Sequence, residues 1–327
     1  MTETLLEVES LSLAIHTPDG LTPILRGLGL SIRRGEIVGL VGESGSGKSM
    51  TARCIIRSLP PGSEVSGRIS LAGEELLALP ASRLRELRAR KIGVIFQDPR
   101  SGVDPLFTVE DHLTEGMRVH GGLNRSAARS RAIELLARVG IRDGERRLRQ
   151  YPGQLSGGLL QRVVIAGALA GDPDLIIADE PTTSLDVTTQ AEIVAIFTAL
   201  QRERRLAMLF ITHDLALAAS LCDRILVMYA GRVLEDQRRD GILRTPAHPY
   251  TAALVGARPS AERRTGRLTV IPGAPEGAAE TPMGCPFRNR CRFAASRCAE
   301  ADMQLRPFGD ALTACIRADE IRSELYA

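Results

Sequence analysis

Tryptophan is absent from this 327-residue chain, and aromatic residues together make up only 3% of it. Stacking platforms for single-stranded nucleic acid are built from such rings, so their scarcity argues against that mode of binding, and no nucleic-acid partner is expected. Lysine is almost missing too: Lys48 and Lys91 are the only two among 42 basic residues. Arginine does not replace lysine where a compact point charge is needed, which makes each of the two informative. No stretch approaches the ~18 uninterrupted apolar residues of a membrane-spanning helix. The opening MTETLLEVES is acidic and lacks the basic-then-apolar layout of a secretory leader, so the chain reads as cytosolic. Charge of one sign is also weak, at a net +3. What is present, 44% apolar and 25% charged residues, is the composition of a folded protein with a sizeable core.

Along the chain, Leu5 to Ile15 alternates as a strand, residues 16–20 read as a turn, and a second strand is expected near Gly29 to Ile32. Glu36 to Val41 is a short apolar run typical of a buried strand, followed by a glycine-rich stretch and a helix through about Leu59. Strand, turn, helix and strand occupy residues 63–96. From Asp98 to Gly167 apolar residues recur at helical spacing, as in Ala127 to Val139, and buried-strand runs disappear. Alternation then resumes with Leu175–Ala178, a helix over Thr188–Arg204, a strand over Ala207–Ile211, a helix over Leu215–Leu221 and a strand over Arg224–Met228. The pattern is an α/β sheet domain interrupted by a helical insertion. Beyond Thr245 the chain turns rich in Pro, Gly and Arg.

Gly42-Glu-Ser-Gly-Ser-Gly-Lys-Ser49 fills the pattern G-x-x-x-x-G-K-[ST], between a predicted buried strand and a predicted helix. Glycines let successive backbone N–H groups turn inward on phosphate oxygens, and the helix N-terminus adds partial positive charge. Lys48 is expected at the β- and γ-phosphates and the Ser49 hydroxyl on Mg²⁺. Leu175-Ile-Ile-Ala-Asp179-Glu180 is an apolar run ending in two acids. It places Asp179 at a strand tip, where a Mg²⁺-holding carboxylate sits, and Glu180 where it can orient or deprotonate a water. Leu155-Ser156-Gly157-Gly158 opens a helix and reads either as a plain N-cap or as a second phosphate-binding turn. A chain that already has a phosphate loop would use a second one on another chain's nucleotide.

In their order, over about residues 5–240, these residues resemble the ATP-binding-cassette ATPases. The resemblance implies ATP contacts from Gly42, Ser44, Gly45, Gly47, Lys48, Ser49 and Met50 (the Walker A motif). Ile15 falls where an aromatic commonly stacks on adenine, so the contact there would be aliphatic. Gln97 looks like the Q-loop glutamine, sensing Mg²⁺ and water, and Asp179 with Glu180 like Walker B and its catalytic glutamate. Ser156, Gly157 and Gly158 look like the signature motif, Ser184-Leu185-Asp186 like the D-loop, and His213 like the switch histidine on the γ-phosphate. Glu180, His213 and Gln97 would be catalytic, and Ser49, Gln97 and Asp179 would hold Mg²⁺. The fold implied is an α/β, ABC-type P-loop ATPase core. Residues 1–97 and 168–245 would form a RecA-like core with an N-terminal β-subdomain, 98–167 a helical signature subdomain, and 246–327 a C-terminal extension carrying cysteines. The implied assembly is a head-to-tail dimer with two ATP held between Walker A of one subunit and the signature of the other.

The match sharpens in the tail. Pro246-Ala-His-Pro-Tyr-Thr251, Ile271-Pro-Gly273 and Gly284-Cys-Pro-Phe-Arg-Asn-Arg-Cys291 look like the extension of dipeptide/oligopeptide importer ATP-binding subunits. That resemblance implies two permease subunits, a second ATPase subunit (a paralogue or the same chain), an extracytoplasmic solute-binding protein, and a peripheral place on the cytoplasmic face of the inner membrane. The same subunit type serves nickel and other small solutes, and a cassette ATPase without a transport role is the remaining reading. Four of the six cysteines follow in the tail as Cys285-x5-Cys291-x6-Cys298-x16-Cys315. They can hold a [4Fe-4S] cluster or Zn²⁺, or be unconnected thiols. Zinc ligands usually pair as C-x2–4-C, and the wider gaps suit a larger cubane. Some members of the importer subfamily carry a [4Fe-4S] cluster on matching cysteines. Cys54 and Cys222 lie in predicted helices and read as packing residues.

Overall fold

The computed structural model describes residues 3–18, 20–183, 185–257, 271–280 and 283–325. From the N-terminus, β1 (Thr4–Thr17), β2 (Gly20–Arg33) and β3 (Ile37–Val41) lead into α1 (Lys48–Ile55), then β4 (Ser63–Leu71), β5 (Glu74–Glu75), α2 (Ala81–Lys91) and β6 (Ile92–Ile95). The helices α3 (Val109–Val119), α4 (Arg125–Arg138), α5 (Gly144–Leu148) and α6 (Gly157–Ala168) follow. Strand and helix then alternate through β7 (Leu175–Asp179), α7 (Val187–Arg204), β8 (Ala207–Thr212), α8 (Leu215–Leu221), β9 (Arg224–Tyr229) and β10 (Arg232–Arg238). The rest holds α9 (Arg239–Ile242), α10 (Pro249–Gly256), β11 (Arg306–Phe308), β12 (Ala311–Thr313) and α11 (Arg322–Leu325). Among the described residues no helix is long and apolar enough to cross a membrane.

The chain divides into two compact units that cut across the segments expected from sequence. The first gathers the residues up to Leu5, Ile32–Ile37 and Ala72–Ile211. In it β6, β7 and β8 run parallel, with Ile95 opposite Ala178 and Asp179 opposite Ile211. Leu175 to Ala178 and the whole of β8 are buried, as continuous apolar runs of a parallel sheet should be. The helices α3 to α6 pack on one another in the same unit, burying Leu113 and Met117 of α3 and Leu135 and Leu136 of α4. Their starts are set by side chains that accept the first free amides: Thr108 for α3, Asn124 for α4 and Ser156 for α6.

The second unit gathers Leu6–Ser31, Val38–Leu71 and Thr212–Ala327. Strands β2, β1 and β4 lie side by side, β1 and β4 antiparallel with Leu6 opposite Leu71. A second set runs in the order β3-β9-β10-β12-β11. Strands β3 and β9 are parallel, and each later pair is antiparallel. The tail strands β11 and β12 are thus joined to the strand that precedes the phosphate loop.

Three elements differ from the sequence reading. Strand β2 begins at Gly20 rather than near Gly29, because it is an edge strand and tolerates Pro23. Helix α1 stops at Ile55 rather than Leu59, since Arg57 turns into the left-handed region at φ 50°. Strand β10 is absent from the sequence reading, since Glu235, Asp236 and Gln237 break any apolar run there, yet Glu235 is fully buried.

Candidate nucleotide site and cysteine pocket

In the second unit, the buried strand β3 runs into the glycine-rich loop, and α1 starts at Lys48. A Cβ at Gly42 would lie 2.1 Å from the Met228 carbonyl oxygen, so only glycine fits. Gly47 has φ +102°, and a Cβ there would meet Leu25 Cδ2 and Met228 Cε at 2.8 Å. The Lys48 side chain is buried, and its ammonium donates to the carbonyl oxygens of Gly42 at 2.8 Å and Glu43 at 2.9 Å. Ser44 and Gly45 are exposed on the loop, while Ser49 and Met50 are half-buried in the first turn of α1. Ile15 is half-buried on β1 opposite Ser63, and its neighbour His16 hydrogen-bonds through Nδ1 to the Gly62 carbonyl at 2.9 Å. His213 is exposed immediately after β8, and Asp214 caps α8 by accepting the amides of Ala216 and Leu217.

In the first unit the structure brings two sequence candidates into contact. Gln97 Nε2 donates to Glu180 Oε2 at 3.2 Å. Thr183, which the sequence reading had not singled out, donates its hydroxyl to the same oxygen at 2.7 Å. Glu180 sits just past the tip of β7 at φ 47°, a left-handed conformation that costs a non-glycine residue on the order of 1–3 kcal/mol. Its amide donates to the Ile211 carbonyl at 2.9 Å, which holds the residue in place. Asp179 precedes it, half-buried at the end of β7. Ser156 is exposed and caps α6, its hydroxyl accepting the Leu159 amide at 3.4 Å. Gly157 faces open space, whereas a Cβ at Gly158 would lie 2.9 Å from Thr189 Cγ2. Asp186 caps α7 by accepting the Thr189 amide at 2.9 Å and the Thr189 hydroxyl at 2.8 Å, which holds its carboxyl below the usual range. Ser184 lies outside the described residues.

Cys54 and Cys222 are fully buried and act as packing residues; burial raises the Cys54 thiol to about 12. The four tail cysteines behave differently. Cys285, Cys291, Cys298 and Cys315 all line one pocket, together with His248, Phe293 and Ile316. None of the four forms a disulfide. Burial, reinforced by the neighbouring sulfurs, pushes Cys285 up to about 12 and Cys315 up to about 11, and raises Cys291. His248 is buried; its Nδ1 accepts the Tyr250 amide at 3.0 Å, and its Nε2 has no hydrogen-bond partner. Among the described residues, no three His, Cys, Asp or Glu side chains are grouped as ligands of a metal ion.

Sequence reasoning also missed Arg290 and Tyr250, which reach Glu43 of the phosphate loop from more than 200 positions away. No local pattern announces a contact at that separation.

The ABC transporter family profile matches residues 25–183, and the profile "Oligopeptide/dipeptide transporter, C-terminal region" matches residues 234–298. An oligopeptide transport ATP-binding protein of Mycobacterium tuberculosis is 44% identical over 96% of this chain, which spans about half (52%) of that relative's length. A probable peptide ABC transporter ATP-binding protein of Sinorhizobium fredii is 42% identical, over 97% of this chain and 96% of its own. Among solved structures, the ATP-binding cassette MJ0796 in a dimeric post-hydrolysis state with ADP and Pi superposes with a TM-score of 0.65. It is 29% identical and covers 72% of this chain and 99% of its own. With both profiles matched in sequence order and a relative aligned nearly end to end, the chain belongs to the ATP-binding subunits of the ABC transporter family, in the branch that carries the oligopeptide/dipeptide C-terminal region.

Proposed function

We propose that this chain binds and hydrolyses ATP to drive a bacterial importer of di- and oligopeptides. The observation that carries the hydrolytic part is the Glu180 carboxylate, fixed past the tip of β7 by Gln97 and Thr183 and therefore presented as a preset base. The names of the relatives support peptide as cargo. Lys48, whose ammonium rests on the loop's own carbonyls, exchanges them for terminal phosphate oxygens. Ser49 and Asp179 are hard oxygen donors of the kind that suit Mg²⁺, which when bound neutralises phosphate charge. Glu180 takes a proton from the attacking water, Gln97 holds that carboxylate in orientation, and His213 meets the γ-phosphate. Ser156, Gly157 and Asp186 are open to a neighbour, and the reading gives them to the nucleotide of a second ATPase subunit, a paralogue or another copy. Residues 98–167 are then the signature subdomain. Two permeases hold the assembly at the cytoplasmic face of the membrane, and a solute-binding protein delivers the peptide.

The same reading gives the pocket of Cys285, Cys291, Cys298 and Cys315 to a [4Fe-4S] cluster. Two observations support the fit. All four cysteines line a single pocket, and His248, which lines it too with Nδ1 accepting, leaves an N–H at Nε2 for a cluster sulfur. When bound, the cluster supplies four covalent crosslinks to a segment with few apolar residues.

Glu180→Gln is the test of the hydrolytic assignment: nucleotide binding stays near normal while kcat falls by about 10²–10⁴. Near-normal turnover, or continued uptake of a labelled tripeptide by cells carrying the variant as their sole copy, overturns it. For the pocket, iron and acid-labile sulfide analysis with a visible spectrum after anaerobic purification decides; a colourless, iron-free protein overturns the cluster.

A further inference from the structure

Glu43 follows Gly42 in the phosphate loop, and all its polar groups are engaged within the second unit. Its amide donates to Tyr250 Oη at 3.0 Å. Its carbonyl accepts Lys48 Nζ at 2.9 Å and the Ser46 amide at 3.2 Å. Its carboxylate accepts both arms of the Arg290 guanidinium, Nη1 to Oε2 at 2.6 Å and Nη2 to Oε1 at 3.1 Å. That two-pronged geometry is the strong form of a charge-assisted pair.

Arg290 is itself buried, at 7% exposure. Its Nε donates to the Pro272 carbonyl at 2.8 Å, and Nη1 also donates to Tyr229 Oη at 3.2 Å. Tyr229 packs edge to face on both Tyr250 and Phe287, which lie tilted to each other, with ring centroids 4.9–5.6 Å apart. The guanidinium lies 5.7 Å from the Tyr229 centroid and 5.8 Å from that of Phe287. Arg290 directly precedes Cys291, and Tyr250 lies in α10, so both come from the tail.

We propose that Arg290 and Tyr250 are positioning residues for nucleotide, through which the cysteine-bearing tail sets the affinity of the phosphate loop. The inference rests on the reading of that loop as the seat of ATP phosphates. Without Arg290, Glu43 leaves a bare carboxylate in a loop that must receive a polyanion, and the repulsion is weakly screened because the pair is largely out of solvent. Tyr250 fixes the peptide between Gly42 and Glu43, whose carbonyls also hold Lys48.

The test is calorimetric titration of the full chain with MgADP, which binds without turnover. Arg290→Met is expected to weaken binding about tenfold or more, equivalent to ~1.4 kcal/mol per decade. Adding Glu43→Gln to Arg290→Met should recover most of that loss, because the uncompensated charge is gone. A merely structural Arg290 would not be rescued this way. Tyr250→Phe should weaken binding a few-fold with the melting temperature little changed. Should Arg290→Met fail to fold, Arg290→Lys carries the test: it keeps the charge, loses the fork, and should cost binding about threefold. Unchanged affinity in Arg290→Met or Arg290→Lys, or an undiminished loss in the double variant, overturns the proposal. Wild-type protein that does not bind MgADP sinks the underlying reading of the loop instead.

Discussion

Glu180 and Glu235 are two carboxylates held by opposite means. Glu180 is strained in its backbone and gripped at one oxygen by an amide and a hydroxyl. Glu235 is fully buried on β10, accepts the amides of Ala247 and His248 at 2.9 and 2.8 Å, and is pushed up to about 7 by loss of solvent, which those hydrogen bonds only partly offset. In the unfolded chain Glu235 ionises near 4.5, whereas folded it holds its proton until about 7. Stability from this group is therefore complete below pH 4.5 and is lost as pH climbs through that window, by roughly 1–3 kcal/mol. Chemical denaturation of wild type and Glu235→Gln between pH 4.5 and 7.5 should show the downward slope in the first and a shallower one in the second; parallel slopes contradict the assignment. Neither carboxylate's setting is written locally. Glu180 is visible in sequence as the end of an apolar run, but its partner Thr183 is an ordinary turn residue until the backbone bends back.

Among the elements, β3, β7 and β8 are legible because a fully buried parallel strand must be a short apolar run, and α4 and α7 because their turns fall at helical spacing. Strands β11 and β12 have three residues each, too short to carry any period, and are fixed by pairing with β10 instead. The end of α7 offers a stability test. Arg205 caps it in the left-handed region at φ 50° and is exposed. Glycine removes the steric penalty there, so Arg205→Gly should raise stability by about 0.5–1 kcal/mol, after its own chain-entropy cost. A denaturation midpoint that shifts upward with unchanged slope is the expected result, and a downward shift contradicts it.

At the scale of the whole molecule, the order of the motifs was legible from sequence, while the attachment of the tail to the phosphate loop was not, since Glu43 and Arg290 meet only through the fold. The four tail thiols give a pH prediction of their own. With Cys285 at about 12 and Cys315 at about 11, the cluster proposed for this pocket would have to strip protons from buried sulfur as it loads. Iron–sulfur reconstitution of the full chain should therefore tighten as pH rises from 6.5 to 8.5, and anaerobic chelation should lower the melting temperature by several degrees. Reconstitution indifferent to pH contradicts this picture.

Because β12 pairs with β10, the cysteine-bearing end of the chain closes one margin of a sheet. Cutting the chain near Thr245 would bare that margin, leaving a row of unsatisfied amides and carbonyls ready to zip onto a neighbouring molecule. A shortened protein would precipitate whether or not the pocket takes the proposed cluster, so serine replacements at the four thiols, which leave the margin sealed, are the informative way to ask what the cysteines contribute.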